Sequence, residues 1–469
     1  MKKIHLLTAF LSLSIIHAQA QNTFPASGNA GIGTTTPDKK LQIVGDGIEL
    51  DNTSFSSLNG VIFKGGARFI SNFNYGNNGT VTTSGNNTFV GINAGNFTMG
   101  STATSSSQSS NNTGIGAAAL ISNITGYRNT AIGYATLYHN TTGANNSAIG
   151  FESLFSNTTG NSNLASGFES LYTNQTGSGN IALGLETLFY NTTGSYNVAV
   201  GYESLLYSTT GSNNVGIGYA SSEHNTAGTD NTAIGYAALA SNKTGSKNTA
   251  NGFESLYKDT TGSNNVAMGY NALYNNIVGS NNIAIGYEAG QYIANGSSAN
   301  TSPSTSIFIG TYSKSKTASD NNEIVIGYGA IGNGSNTVVL GSTAITETIL
   351  RGNILIGKTA QENSGYKLDV NGNIRANKMV VNTTGADFVF GPDYHLPVLA
   401  DIRHYIKNYR HLPGIPSAEE MKTNGMDVGT VQTKLLQKVE ELTLYVLRQE
   451  NKIETLEKQI DQLKAKKSR

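Results

Sequence analysis

From Asn112 onward, apolar and polar positions recur along the chain with a fixed period. With Asn129 as position 1, the same residue returns at Asn112, Asn146, Asn163, Asn180, Asn197, Asn214, Asn231, Asn248, Asn265 and Asn282, seventeen residues apart each time. Position 4 is usually aliphatic, as at Ile132, Ile149, Leu183 and Val200, with Ser166 and Asn251 as exceptions. Position 5 is always Gly, including Gly116, Gly133, Gly150, Gly184, Gly201, Gly235 and Gly269. Position 9 is Leu in nine of eleven units, among them Leu137, Leu154, Leu171 and Leu188, and fails at Ser222 and Gly290. Position 15 is Gly from Gly126 to Gly279 and usually follows Thr. A constant period without insertions means that each unit makes one coil and stacks on the last. Gly, Asn and Thr suit strands and turns better than helix interiors. The A-I-G-Y piece reads as a short strand with Ile on one face. N-x-T-G reads as a corner, where Gly takes positive φ and Asn bonds its own backbone.

The predicted fold is therefore mainly β, a parallel β-solenoid of 17-residue coils. Equivalent residues would lie roughly 4.8 Å apart, so eleven coils extend on the order of 50 Å. The aliphatic residue at position 4, the Leu at position 9 and an aromatic at position 6 or 10 are the expected core. That core is thin, since burying a large apolar side chain contributes roughly 1.5–3 kcal/mol and ordering each backbone residue costs about 1–2 kcal/mol. Neighbouring coils or neighbouring chains must supply further burial.

The periodicity changes near the C-terminus. Val398, Ile402, Tyr405, Ile406 and Tyr409 have helical spacing and stop before Pro413. Val439, Val446, Ile453 and Ile460 then fall seven apart, and Leu435, Leu442, Gln449, Leu456 and Leu463 fill the complementary register. This is the a/d pattern of a coiled coil, with Gln449 a polar interruption that selects register. β-branched a with Leu d favours a parallel dimer.

The chain has no Cys, so no disulfide stabilises it, and its formal net charge of +0 gives no clustered basic surface for nucleic acid. Lys2 and Lys3, the apolar run to Ile16 and Ala18-Gln19-Ala20 read as a secretory signal peptide. No later run is long enough for a transmembrane helix, so no transmembrane anchor is expected.

N-T-A-I-G-Y (from Asn129) and N-S-A-I-G-F (from Asn146) resemble the repeats of YadA-like heads of trimeric autotransporter adhesins. Looser copies begin at Asn87, Asn322 and Asn336. The resemblance implies a trimeric left-handed β-roll, with a usual period shorter than the one seen here. Residues 28–50 and 352–381 resemble tail-fibre-like segments, and D-F-V-F with H-L-P-G-I-P-S (from Asp387 and His411) resembles a C-terminal region of exported Bacteroidota fibre proteins. The implied organisation is a signal peptide at 1–20, a fibre-like segment at 21–79, the solenoid at 80–345, a β-rich connector at 346–384, a small region at 385–430 and a coiled coil at 431–466. The implied protein is an exported, extracellular or surface-located adhesin of a Gram-negative bacterium. It would be a homotrimer, with a dimer as the alternative from the a/d composition, and would bind a surface glycan or protein. A fibre stalk, an ice-binding solenoid and, last, a self-processing fibre enzyme are the competing readings. The membrane β-barrel of the adhesins has no counterpart in this sequence.

Candidate chemistry is sparse, and neither an enzyme activity nor a cofactor is expected. Gly327 to Gly332 fits G-x-G-x-x-G but lacks the following helix that a dinucleotide site needs. Asp393, His395, Asp401, His404 and His411 do not have metal-site spacing. Glu152, Glu169, Glu186 and Glu203 occupy position 7 of successive coils and form a carboxylate ladder, either a solvated face or a candidate cation stripe. Thr125, Thr142, Thr159, Thr176, Thr193 and Thr210 form the column on which an ice-binding reading would rest.

Overall fold

The computed structural model describes residues 30–32, 41–43, 60–360, 365–383 and 385–467. The proposed signal peptide and most of the first fibre-like segment lie outside them. The chain divides into two compact units, between Thr348 and Ile349. The first is the parallel β-solenoid that the repeat predicts. Three-residue strands from Thr88–Val90 to Val338–Leu340 each pair in parallel with the strand one coil later, so that Thr130 lies beside Ser147 and Ala131 beside Ala148. The rise is 17 residues through the regular coils. It is 25 residues at Asn87–Asn112, 24 at Asn282–Ser306 and 14 at Asn321–Ser335.

The core differs from the expected one. Along each strand the side chains alternate, and the single inward residue is position 3, not position 4. Ala131, Ala148, Ala165 and Ala182 are fully buried, whereas Ile132 and Ile149 point outward and are exposed. A three-residue strand has room for one inward residue, and Gly133 then turns the chain at φ 140°. The aromatics at position 6, including Tyr134 and Phe151, are exposed as well. Leu137, Leu154, Leu171 and Leu188 at position 9 are fully buried, as expected. They take left-handed backbone conformations, φ 51° at Leu137, which costs an L-residue about 1–2 kcal/mol against the roughly 1.5–3 kcal/mol of its burial. Where position 9 is Gly290, the inward residue of the next coil is Phe308, fully buried, whose ring lies where a Gly290 side chain would be.

The rest of the interior is polar: hydroxyl residues at position 8, including Thr136, Ser153, Ser170 and Thr187, are fully buried, and amides complete it. Two columns of buried asparagines, at positions 1 and 12, run along the stack. The backbone N–H of Asn129 donates to Asn112 Oδ1 at 3.0 Å, and its Nδ2 donates to Gly143 O at 2.8 Å. Asn140 Nδ2 donates to Asn123 Oδ1 at 2.8 Å and also to Gly143 O at 3.0 Å. Both columns therefore converge on the carbonyl of the position-15 glycine. This corrects the expected role of that glycine. Its φ is not positive; a Cβ at Gly143 would collide with Asn140 Oδ1 and with the Gly160 carbonyl of the next coil.

In the second unit, Ile354–Ile356 pairs in parallel with Leu368–Val370. A 3-10 turn, Asp387–Phe390, precedes three helices: α1 (Leu399–Tyr409), α2 (Ala418–Asn424) and α3 (Val428–Lys467). The predicted helical stretch is α1, and the predicted heptads lie on α3. Ser417 caps α2, its side chain accepting from the Glu420 N–H while the Glu420 carboxylate accepts from the Ser417 N–H.

Candidate functional site

The solenoid turns three kinds of column outward. The first is aliphatic: Ile115, Ile132, Ile149, Ile217, Ile234, Met268 and Ile285 at position 4 are each 36–43% exposed. Two residues further along each coil stands the aromatic column. Tyr202, Tyr219, Tyr236, Phe253, Tyr270 and Tyr287 stack without a break, with ring centroids 4.9–5.4 Å apart. Together these columns expose on the order of 1,500 Å² of apolar surface, against roughly 300–600 Å² for the largest patch on an ordinary monomer.

The third column is the carboxylate ladder. Glu152, Glu169, Glu186 and Glu203 share left-handed backbone geometry, φ 51–54°, and are half-buried at equivalent places. Burial, then Glu152 and Glu186, raise the Glu169 carboxyl above the usual range. Among the described residues no group of three or more His, Asp or Glu is placed to hold a metal ion. The ladder thus supplies one carboxylate per coil along the surface. His395 Nδ1 lies 3.0 Å from Asp393 O and His404 Nε2 lies 2.9 Å from Asn408 Nδ2, which accounts locally for both histidines.

The threonines separate into two columns. Position-13 hydroxyls are consumed inside the stack: Thr141 Oγ1 donates to Thr158 O at 2.9 Å and Thr209 Oγ1 to Thr226 O at 2.9 Å. Position-14 residues Thr142, Thr159, Thr176, Thr193 and Thr210 are exposed, one per coil, while Thr125 is buried.

On α3 the predicted seam is uncovered. Leu435, Val439, Leu442, Val446, Ile453, Leu456, Ile460 and Leu463 are all exposed along this 40-residue helix. Within the second unit Leu435, Val439 and Leu442 line an apolar cavity of about 310 Å³ together with Leu399, Ile402 and Tyr445. The Tyr445 hydroxyl donates to Pro397 O, and that of Tyr394 to the Glu441 carboxylate, which also receives Lys438 at 2.9 Å. Among the described residues, no helix is long and apolar enough to cross a membrane.

Two features escaped the sequence reading: the paired asparagine columns and the outward aim of position 4. The first was signalled by the invariance of Asn at position 1. The second was signalled by the small residue, Ala or Gly, that precedes position 4 in every regular unit. No family model, curated protein or solved structure matches this chain.

Proposed function

We propose that this protein is a non-enzymatic fibrous adhesin, exported and assembled as a parallel homo-oligomer, whose stacked coils present a repeated surface for multivalent attachment. The observation that carries the reading is the pair of uncovered apolar tracks, the position-4 column on the solenoid and the heptad seam on α3. An apolar track of this length needs a partner. The track on the solenoid has the fold's own rise, so the partner that matches it coil after coil is another copy in the same direction. The α3 seam asks for the same arrangement, since a parallel coiled coil brings identical heptads together. Three copies follow from the resemblance to YadA-like heads; two are the alternative from the seam's a/d composition.

Assembly multiplies the polar, tyrosine-dotted outer surface, and weak contacts to a glycan or protein coat add up through effective concentration. The test has two stages. Light scattering on the full chain should give a mass two or three times that of one chain, and Ile132→Asp with Ile234→Asp should shift it towards single chains. Beads bearing the assembled protein should then be retained on glycan- or matrix-coated surfaces at least 100-fold longer than beads bearing the separated variant. A single chain at all concentrations refutes the assembly, and equal retention refutes attachment by multivalency.

A further inference from the structure

We propose that Asn251 fixes the register and direction in which copies of this chain pack, an inference that rests on the self-association proposed above. The position-4 column runs Ile217, Ile234, Asn251, Met268, Ile285, so a carboxamide stands in the middle of an otherwise apolar track. Its strand, Thr249–Asn251, is paired on both sides in perfect step, Asn251 beside Ile234 and beside Met268. The backbone gives no reason for the change, because its carbonyl accepts from the Gly269 N–H at 2.8 Å like its equivalents in other coils.

The amide itself differs from the other asparagines of the repeat. The inward asparagines at positions 1 and 12 are built into ladders along the stack. The Asn251 side chain is exposed and enters none of the side-chain hydrogen bonds that hold those ladders. Ser166, the other polar residue of the column, is a weaker interruption. The second outward residue of its strand is Leu164, 37% exposed, which restores apolar surface at that level. At the Asn251 level the second outward residue is Thr249, so the whole outward strand is polar.

A carboxamide carries both donors and an acceptor, so it can be satisfied by its own copy across a symmetry axis. Parallel, in-register packing brings Asn251 against Asn251. A slip of one coil sets it against Ile234 or Met268, and a fully overlapped antiparallel arrangement sets it against Leu183. Each alternative buries an unpaired amide, which disfavours it on the order of tenfold. A single polar residue in an apolar seam selects register in coiled coils by the same physics, at some expense in stability.

The test uses full-length chains. Wild type and Asn251→Ile, carrying different tags, are unfolded together, refolded together and counted by native mass spectrometry. Isoleucine occupies this position in other coils, so Asn251→Ile alone should fold and assemble; Asn251→Val replaces it if it does not. Because in-register packing brings residue 251 of every copy together, oligomers with a lone Asn at this level should be depleted on the order of tenfold below binomial mixing. Ile234→Val, mixed with wild type in the same way, should combine binomially. Binomial mixing of Asn251→Ile with wild type overturns the role of Asn251 while leaving self-association standing. Single chains in every sample overturn the self-association itself, and this inference with it.

Discussion

Asp259 gives the sharpest perturbation in this fold. It occupies position 12, where Asn242 and Asn276 hold the same place in the coils on either side. In the intact ladder each asparagine donates from Nδ2 to the Oδ1 of the preceding coil, as Asn242 does to Asn225 at 2.8 Å. Asp259 still accepts from Asn276 Nδ2 at 2.8 Å, but it has no amide to donate to Asn242. Asn242 Oδ1 and Asp259 Oδ2 are accordingly both buried without a partner. A proton on Oδ2 restores the missing donor. Burial raises the Asp259 carboxyl from 3.8 to about 7, opposed by hydrogen bonds from the Gly262 N–H and Asn276. Between those two values the folded chain holds a proton that the unfolded chain does not. Stability therefore falls as pH rises from about 4 to about 7 and stays at the lower level above it. A shift of about three units corresponds to roughly 4 kcal/mol at most. Asp259→Asn removes that dependence and restores the ladder at every pH. Because stacked coils open locally, the assay is hydrogen exchange of the peptides spanning residues 242–276, compared between wild type and variant from pH 4 to pH 8. The protection gained by Asp259→Asn should be small at pH 4 and largest at pH 8. Ser208→Asn mends the other break in the same ladder, where Asn191 Oδ1 and Ser208 Oγ are also unpartnered, and its gain of about 1 kcal/mol should not change with pH. A gain from Asp259→Asn that is equal at pH 4 and pH 8, or a loss at pH 8, refutes the reasoning.

Other substitutions test the columns separately. Leu171→Ala, at a fully buried position, should lower unfolding stability by roughly 2–5 kcal/mol in denaturant titration, whereas Ile149→Ala, on the outward face, should change a separated chain by less than about 1 kcal/mol. Gly143→Ala should cost about 2 kcal/mol or more, because the added methyl meets the backbone of the next coil, and circular dichroism during melting reads it. Ser222→Leu fills the position-9 gap whose buried hydroxyl has no partner and should raise stability by about 1 kcal/mol. Glu169→Gln should raise the melting midpoint slightly at neutral pH and less in 1 M salt, since it relieves burial and the neighbouring Glu152 and Glu186.

The period made the solenoid legible, because an invariant Gly at position 5 and an invariant Asn at position 1 cannot recur at one spacing in a fold that does not stack. What the period could not give was the direction of each side chain. Ile at position 4 is larger and more apolar than Ala at position 3, and hydrophobicity alone assigns the larger residue to the core. The coil interior is too narrow for that: Ala131, Thr136 and Leu137, with two asparagines, already fill it. The heptads of α3 were legible for the opposite reason, since apolar residues seven apart on a helix leave no second explanation. The outward columns were visible as repetition but not as exposure, and exposure is what makes them candidates for contact.

A stack built this way responds to substitution in two distinguishable ways. Inside, most polar atoms are satisfied within the coil or by the coil above or below, so a residue such as Ser208 or Asp259 leaves orphaned atoms within one chain, and its effect is intramolecular whatever the state of assembly. Outside, Asn251 disturbs no ladder of its own chain and costs a single copy nothing in hydrogen bonding, because water satisfies an exposed amide. Its consequence arises only when another surface excludes that water. Stability of the separated chain should therefore track mainly the inward columns. The stoichiometry and mixing of copies should track the outward ones alone. If Asp259→Asn alters the mixing of copies as strongly as Asn251→Ile does, that division of labour between the two faces of the coil is wrong.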